Sequence, residues 1–270
     1  MARGHVLNSI VGAARALLFY VGYAALTVSW GSLSVLIAWV IPFRERFHFV
    51  IGVWTRLVLG WLRVTCGIDH VIEGREHLPP HACVVFVKHE STWETLFVQT
   101  LFAPQATIIK RELLHIPFFG WAFRLLKPIA IDRKDGRGAL RALIREGKRR
   151  LEDDIWVVLF PEGTRVPVGE TRPFQIGGAA LAEASGQPVL VVAHNAGEFW
   201  PAHRFLKRPG TIRVVISPPL ETADRRSKEI KSEAEAWLAR AMADLGRKPQ
   251  TSRLTTDSAL ASMNSRLGST

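Results

Sequence analysis

Apolar positions along the chain fall into two regimes. From Ala16 to Phe43 there is no charged residue, a run long enough to cross a hydrocarbon core of about 30 Å as a helix. It is too long for the apolar segment of a signal peptide, typically about 7–15 residues. Gly31, Ser32 and Ser34 interrupt the run, and Pro42 stops it. A second apolar helix is expected from Phe47 to Cys66, after the basic turn Arg44–Arg46. Arg56 and Arg63 break its apolar surface, as in a helix that lies in an interface rather than spanning. The pair reads as one span plus an interfacial helix, or as a hairpin re-entering one leaflet. The basic turn favours a cytoplasmic position for the rest of the chain.

Beyond residue 66, short β-branched runs alternate with stretches of helical period. ACVVFVK (82–88), ATIIK (106–110), PIAID (128–132), IWVVLF (155–160), PVLVVA (188–193) and TIRVVIS (211–217) predict strands. Helices are predicted over 92–102, over 112–126 with a kink or break at Pro117, and over 138–151, 176–184 and 227–245. In the third of these Leu140, Leu143, Ile144 and Leu151 share one face. Alternation of this kind predicts an α/β sheet with helices packed on it. Residues 247–270 are polar, rich in Ser and Thr and without period, which predicts a disordered tail. The expected organisation is a membrane-associated helical segment (1–66), an α/β domain (67–246) and the tail (247–270).

Charge narrows the class of partner. The net charge is +11 and the pI near 10.3, which favours anionic surfaces and anionic small molecules. No helix-turn-helix, zinc-finger or RNP pattern is present, and nucleic acid would leave the apolar N-terminus unexplained, so none is expected as a partner. The two cysteines, Cys66 and Cys83, lie in no CxxC or zinc spacing, so neither a disulfide framework nor a metal site is expected.

Ligands of open α/β sheets sit beyond the carboxyl ends of strands. The polar groups at those ends are Lys88-His89, Lys110-Arg111, Asp132-Arg133, Glu162-Gly163-Thr164-Arg165 and His194-Asn195. Four of the five carry Lys or Arg, which forms an anion pocket if the ends converge. In VVFVKHESTWETLF (84–97), His89 ends a strand and Glu94 lies one turn into the next helix. A carboxylate reaching back to one ring nitrogen would fix the tautomer and leave the other nitrogen free to take a proton from a hydroxyl. The same residues also read as a capping box, Ser91-x-x-Glu94, with no catalysis; the two readings are compatible. His89-Glu90 opens like HExxH, but Trp93 stands where the second histidine belongs. Ser91 is in no G-x-S-x-G elbow. In FPEGTR (160–165), Gly163 would let the backbone approach a ligand, and Arg165 offers a planar fork for phosphate. The competing reading is a plain turn in which Arg165 and Glu162 pair with each other.

Taken together, HESTWE (89–94) and FPEGTR (160–165) resemble the glycerolipid acyltransferase family. KRELLHIPFFGW (110–121), IAIDR (129–133) and PVLVVAHNAG (188–197) resemble further blocks of that family, in its order. The resemblance implies a mixed sheet flanked by helices, with His89 as general base and Glu94 as its orienting carboxylate. It assigns Arg133, Glu162, Gly163, Thr164 and Arg165 to the glycerol phosphate, with Lys110 as a further phosphate contact. It implies an acyl thioester of coenzyme A or acyl carrier protein as co-substrate, no other cofactor, and lysophosphatidate as the membrane-lipid acceptor. The implied location is a bacterial inner membrane with the catalytic domain on the cytoplasmic side. Two positions depart from the family pattern: Glu94 stands for the usual Asp, and Lys88 for a frequent Asn. Transfer to another lyso-lipid such as lyso-ornithine lipid, thioester hydrolysis, and a non-catalytic basic membrane-binding role are the alternatives.

Overall fold

The computed structural model of the chain describes residues 2–131 and 136–246. Arg133 and the predicted tail lie outside the described residues. Seven strands form one sheet: β1 (Ile68–Glu73), β2 (Val84–Val87), β3 (Gln105–Lys110), β4 (Ile129–Ile131), β5 (Trp156–Leu159), β6 (Val189–His194) and β7 (Gly210–Ile216). Their spatial order is β1-β7-β6-β2-β5-β3-β4. The five strands from β6 to β4 are mutually parallel; β7 runs antiparallel to β6, and β1 parallel to β7. The sheet is mixed, and the carboxyl ends of β2, β3, β4, β5 and β6 converge on one edge.

The helices are α1 (Ala2–Ile37), α2 (Phe43–Phe47), α3 (Trp54–Cys66), α4 (Trp93–Leu101), α5 (Phe119–Arg124), α6 (Gly136–Glu152), α7 (Ile176–Ser185), α8 (Ala196–Phe199) and α9 (Ser227–Gly246). A π-helical stretch, His48–Val53, joins α2 to α3. Successive side chains of a strand point to opposite faces, and the buried runs of β2 and β6 fill two cores. Val85, Val87, Leu190 and Val192 pack with Phe19, Val58, Leu62 and Phe97 on the face of α1, α3 and α4. Val84, Phe86, Val189 and Val191 pack with Leu143, Leu181 and Ile230 on the face of α6, α7 and α9. Full burial of each such side chain contributes about 1.5–3 kcal/mol. Gly178 brings α7 against β2: a β-carbon there would stand 2.6 Å from Phe86.

The six predicted strands form. A seventh, β1, was not predicted, because Ile-Asp-His-Val-Ile-Glu at a sheet edge carries polar residues among its apolar ones. The helix predicted over 112–126 splits into a 3-10 turn, Arg111–His115, and the short α5. Pro117 removes a helical donor, and the residue before it, Ile116, is extended.

α1 does not stand free of the domain. Arg15 Nε donates to the Thr65 carbonyl at 2.8 Å, Phe19 meets Trp200 edge to face, and Trp30 Nε1 donates to the Phe49 carbonyl at 3.0 Å. Further along, Gly31 lies against Phe118. Leu17, Leu18, Val21, Val28 and Leu36 of α1 are exposed. One flank is packed and the other is a bare apolar surface. Among the described residues, Ser9–Val40 and the continuous helical stretch Phe43–Cys66, which ends in α3, are the two segments long and apolar enough to cross a membrane.

Candidate active site

β2 ends at Val87, and the chain turns through Lys88-His89-Glu90-Ser91 into α4. His89 Nδ1 lies 2.8 Å from Glu94 Oε1. The carboxylate accepts, so Nδ1 carries the proton and Nε2 keeps its lone pair. His89 is 14% exposed, whereas Glu94 is fully buried. Glu94 Oε1 also accepts the backbone N–H groups of Ser91 at 2.9 Å and Glu90 at 3.2 Å. The carboxylate half of the capping box therefore forms on the same oxygen that holds His89. The serine half differs: Ser91 Oγ accepts from the Trp93 N–H and donates to the Trp200 carbonyl. Burial works to raise the Glu94 pKa, but the His89 hydrogen bond and nearby His194 outweigh it, leaving the carboxyl below its ordinary value. An ionised Glu94 is what an imidazolium at His89 needs behind it.

Phe160 stacks on the other side of the imidazole, with ring centroids 4.2 Å apart. After Phe160 the chain makes the tight Pro161–Thr164 turn. Gly163 has φ +75° and donates its N–H to the Phe160 carbonyl at 3.0 Å, a conformation that favours glycine.

Arg165 Nε donates to the Ser91 carbonyl at 2.8 Å. That bond fixes the guanidinium and leaves its terminal nitrogens without a protein partner among the described residues. The reading in which Arg165 and Glu162 pair with each other is not what the turn does. A cleft of about 850 Å³ gathers His89, Lys110, Gly163, Thr164 and Arg165, with Tyr23 of α1 and Trp54 of α3 on its wall. A second cleft, about 430 Å³, reaches His89 from the side of α6 and is lined by Leu140, Leu143 and Ile176.

Two expected anion contacts belong elsewhere. Lys88, counted among the basic strand ends, is buried and bonds Glu162 Oε1 at 2.6 Å. Glu162, expected on the glycerol phosphate, is 2% exposed, and its other oxygen accepts the His89 N–H at 2.8 Å. This ion pair ties the turn after β5 to the end of β2 and holds the His89 backbone.

The chain is similar to known proteins over most of its length. A family profile described as acyltransferase matches residues 70–195. The 1-acyl-sn-glycerol-3-phosphate acyltransferase of Pseudomonas aeruginosa is 46% identical over 240 residues, covering 88% of this chain and 93% of that protein. The chain belongs to the acyltransferase family. The enzyme of the same description from Limnanthes alba is 30% identical over 200 residues, covering 73% of this chain and 69% of its own. In fold, the acyltransferase is similar to the crystal structure of the 1-acyl-sn-glycerophosphate (LPA) acyltransferase PlsC from Thermotoga maritima. The TM-score is 0.73 at 24% identity, covering 88% of this chain and 99% of that one.

Sequence reasoning placed His194-Asn195 at one of the ligand-bearing strand ends but gave His194 no role in the acyltransferase site, and it stands directly behind the His89–Glu94 pair. Its Nε2 donates to the Lys88 carbonyl at 2.8 Å, and its Nδ1 accepts the Ala196 N–H at 3.2 Å. Nε2 is also 3.9 Å from Glu94 Oε2, an oxygen with no hydrogen-bond donor. The signal in the sequence was the position of His194 at a strand end, beside the end that carries His89.

Glu90 is a third buried carboxylate of the acyltransferase site, beside Glu94 and Glu162. Its Oε1 accepts the Gly197 N–H at 2.8 Å, and its Oε2 has no donor. Burial raises its pKa above the ordinary 4.5, and His194 and the Gly197 N–H offset this only in part. A raised folded-state value means the folded protein holds this proton more tightly than the unfolded chain. Glu90 thus costs stability once pH exceeds the raised value, and the cost disappears below about 4.5. Glu90→Gln should raise the melting temperature at pH 8 by roughly 2–4 °C and leave it unchanged or lower at pH 4. Thermal melts of both proteins across that range check the sign.

Proposed function

We propose that this acyltransferase moves an acyl chain from a thioester of coenzyme A or acyl carrier protein to the 2-hydroxyl of 1-acyl-glycerol 3-phosphate, giving phosphatidate. The observation that carries this reading is the 2.8 Å His89–Glu94 bond at the rim of the cleft that also holds the unpaired end of Arg165.

In the reaction His89 Nε2 removes the proton of the acceptor hydroxyl as its oxygen attacks the thioester carbonyl. Glu94 offsets the charge of the imidazolium that forms. Collapse of the tetrahedral intermediate breaks the carbon–sulfur bond, and the thiolate recovers the proton from His89. A thiol of pKa near 8.5 leaves readily, so the hydroxyl is the partner that needs help, and a general base supplies on the order of 10²–10⁴ in rate. The backbone N–H groups of Thr164 and Arg165 have no protein acceptor among the described residues. They are suited to hold the oxyanion, whereas the Gly163 N–H closes its own turn.

Arg165 and Lys110 take the acceptor's phosphate, and the bare flank of α1 lies in one leaflet, so that the cleft opens where the lipid resides. The surface so engaged is the cytoplasmic face of a bacterial inner membrane. Arg165→Ala should raise KM for lysophosphatidate about 10–100-fold, the size of a lost hydrogen bond to a charged group, with a smaller effect on kcat. A panel of lyso-lipid acceptors checks this. Equal loss with an acceptor lacking phosphate, or a preference of the unmutated enzyme for lyso-ornithine lipid, would refute the acceptor assignment.

A further inference from the structure

α6 carries arginines at every fourth position: Arg137, Arg141, Arg145 and Arg149, all exposed. At 1.5 Å per residue the ridge extends about 18 Å. The Arg145 and Arg149 side chains are 73% and 60% exposed, and both lie against a single carboxylate, Glu146. Arg137 and Arg141 have no ion-pair partner among the described residues. Like charges four apart on a helix repel and weaken it, and this helix repeats that spacing three times. The fold gains nothing from the ridge that lysine and glutamate in alternation would not give better.

The opposite face of α6 explains where the ridge leads. Leu140 and Leu143 line the cleft that reaches His89 on this side of the sheet. α1 and α3 pack on the other face of the sheet, so a bilayer held by the bare flank of α1 is not the surface that α6 meets. A partner on α6 therefore arrives from water. A nucleotide-borne thioester concentrates its phosphates at one end, whereas four arginines in line match an extended anionic face.

Resting on the thioester-transfer reading above, we propose that the α6 arginine ridge is the docking surface for an acidic carrier protein that delivers the acyl thioester to the adjoining cleft. Surface charges of this kind act mainly on association rate and its salt dependence. The test compares the unmutated enzyme with Arg141→Glu/Arg145→Glu, using palmitoyl-loaded bacterial acyl carrier protein and palmitoyl-coenzyme A with the same acceptor. The expected result is a 10–100-fold lower kcat/KM with the carrier-borne donor, a weaker salt dependence, and a change within twofold with the coenzyme A donor.

Equal loss with both donors, loss confined to the coenzyme A donor, no change with either, or failure of the unmutated enzyme to use the carrier-borne donor would each overturn the proposal. Titration calorimetry of the carrier protein against both enzymes reads docking without turnover: binding lost in the double variant supports the ridge, and equal binding overturns it. Failure of acyl transfer from both donors in the unmutated enzyme would instead refute the functional reading.

Discussion

Replacing His89 by alanine leaves a folded protein that has lost its acyl transfer. The imidazole is the one group at the rim of the cleft, among the described residues, with a free lone pair and a buried carboxylate behind it. Its removal takes away the base, which accounts for on the order of 10²–10⁴ in kcat. The fold survives because the main-chain anchors of this turn do not use the imidazole: the His89 N–H bonds Glu162 and its carbonyl accepts from Val166. Glu94→Gln separates catalysis from capping. A glutamine carbonyl still accepts the Ser91 and Glu90 N–H groups, so the start of α4 is kept. It carries no charge to set against an imidazolium, so kcat should fall by a similar order while the melting temperature changes little. Turnover per folded molecule, with circular dichroism as the control, checks both variants. An active His89→Ala enzyme would end the general-base mechanism, and a Glu94→Gln enzyme with full turnover would reduce Glu94 to a helix cap.

Glu162→Ala produces the largest stability loss. Glu162 and Lys88 are both almost fully buried and bonded at 2.6 Å. Removing the carboxylate strands a buried ammonium and leaves the His89 N–H without its acceptor. Breaking a buried pair from one side costs about 3–5 kcal/mol, a large part of the stability of an ordinary domain. The expected result is a protein that unfolds at much lower urea concentration, with activity lost through misplacement of His89. Glu162→Gln keeps an oxygen for the His89 N–H and should be less damaging. A stable Glu162→Ala protein whose only defect is a raised KM for the acceptor would restore Glu162 to the phosphate site.

Much of the local structure was legible because it rests on periodicity. Strands β2, β3, β5 and β6 are apolar runs that the buried middle of a sheet demands, β4 is a short apolar edge strand, β7 alternates buried and half-exposed positions, and α6 and α9 follow the helical period. β1 was illegible because an edge strand half exposed to water tolerates Asp69, His70 and Glu73. The pairing of His89 with Glu94 was legible because it is local, five residues apart, and the turn from β2 into α4 fixes it.

Contacts between distant segments had no such signature. A lysine after a strand looks the same whether it faces water or a buried carboxylate, so Lys88 read as part of an anion pocket. Only the parallel pairing of β2 with β5, which sets Lys88 beside Glu162, decided otherwise. His194 came behind Glu94 through the pairing of β2 with β6. The sequence by itself determined most of the elements, β1 excepted, the apolar N-terminal helices and the His89–Glu94 pair, because burial patterns and short-range hydrogen bonds are written in neighbouring residues. The tertiary structure alone decided which charges face the cleft and which are spent inside, because burial of a polar group depends on a partner brought from elsewhere in the chain.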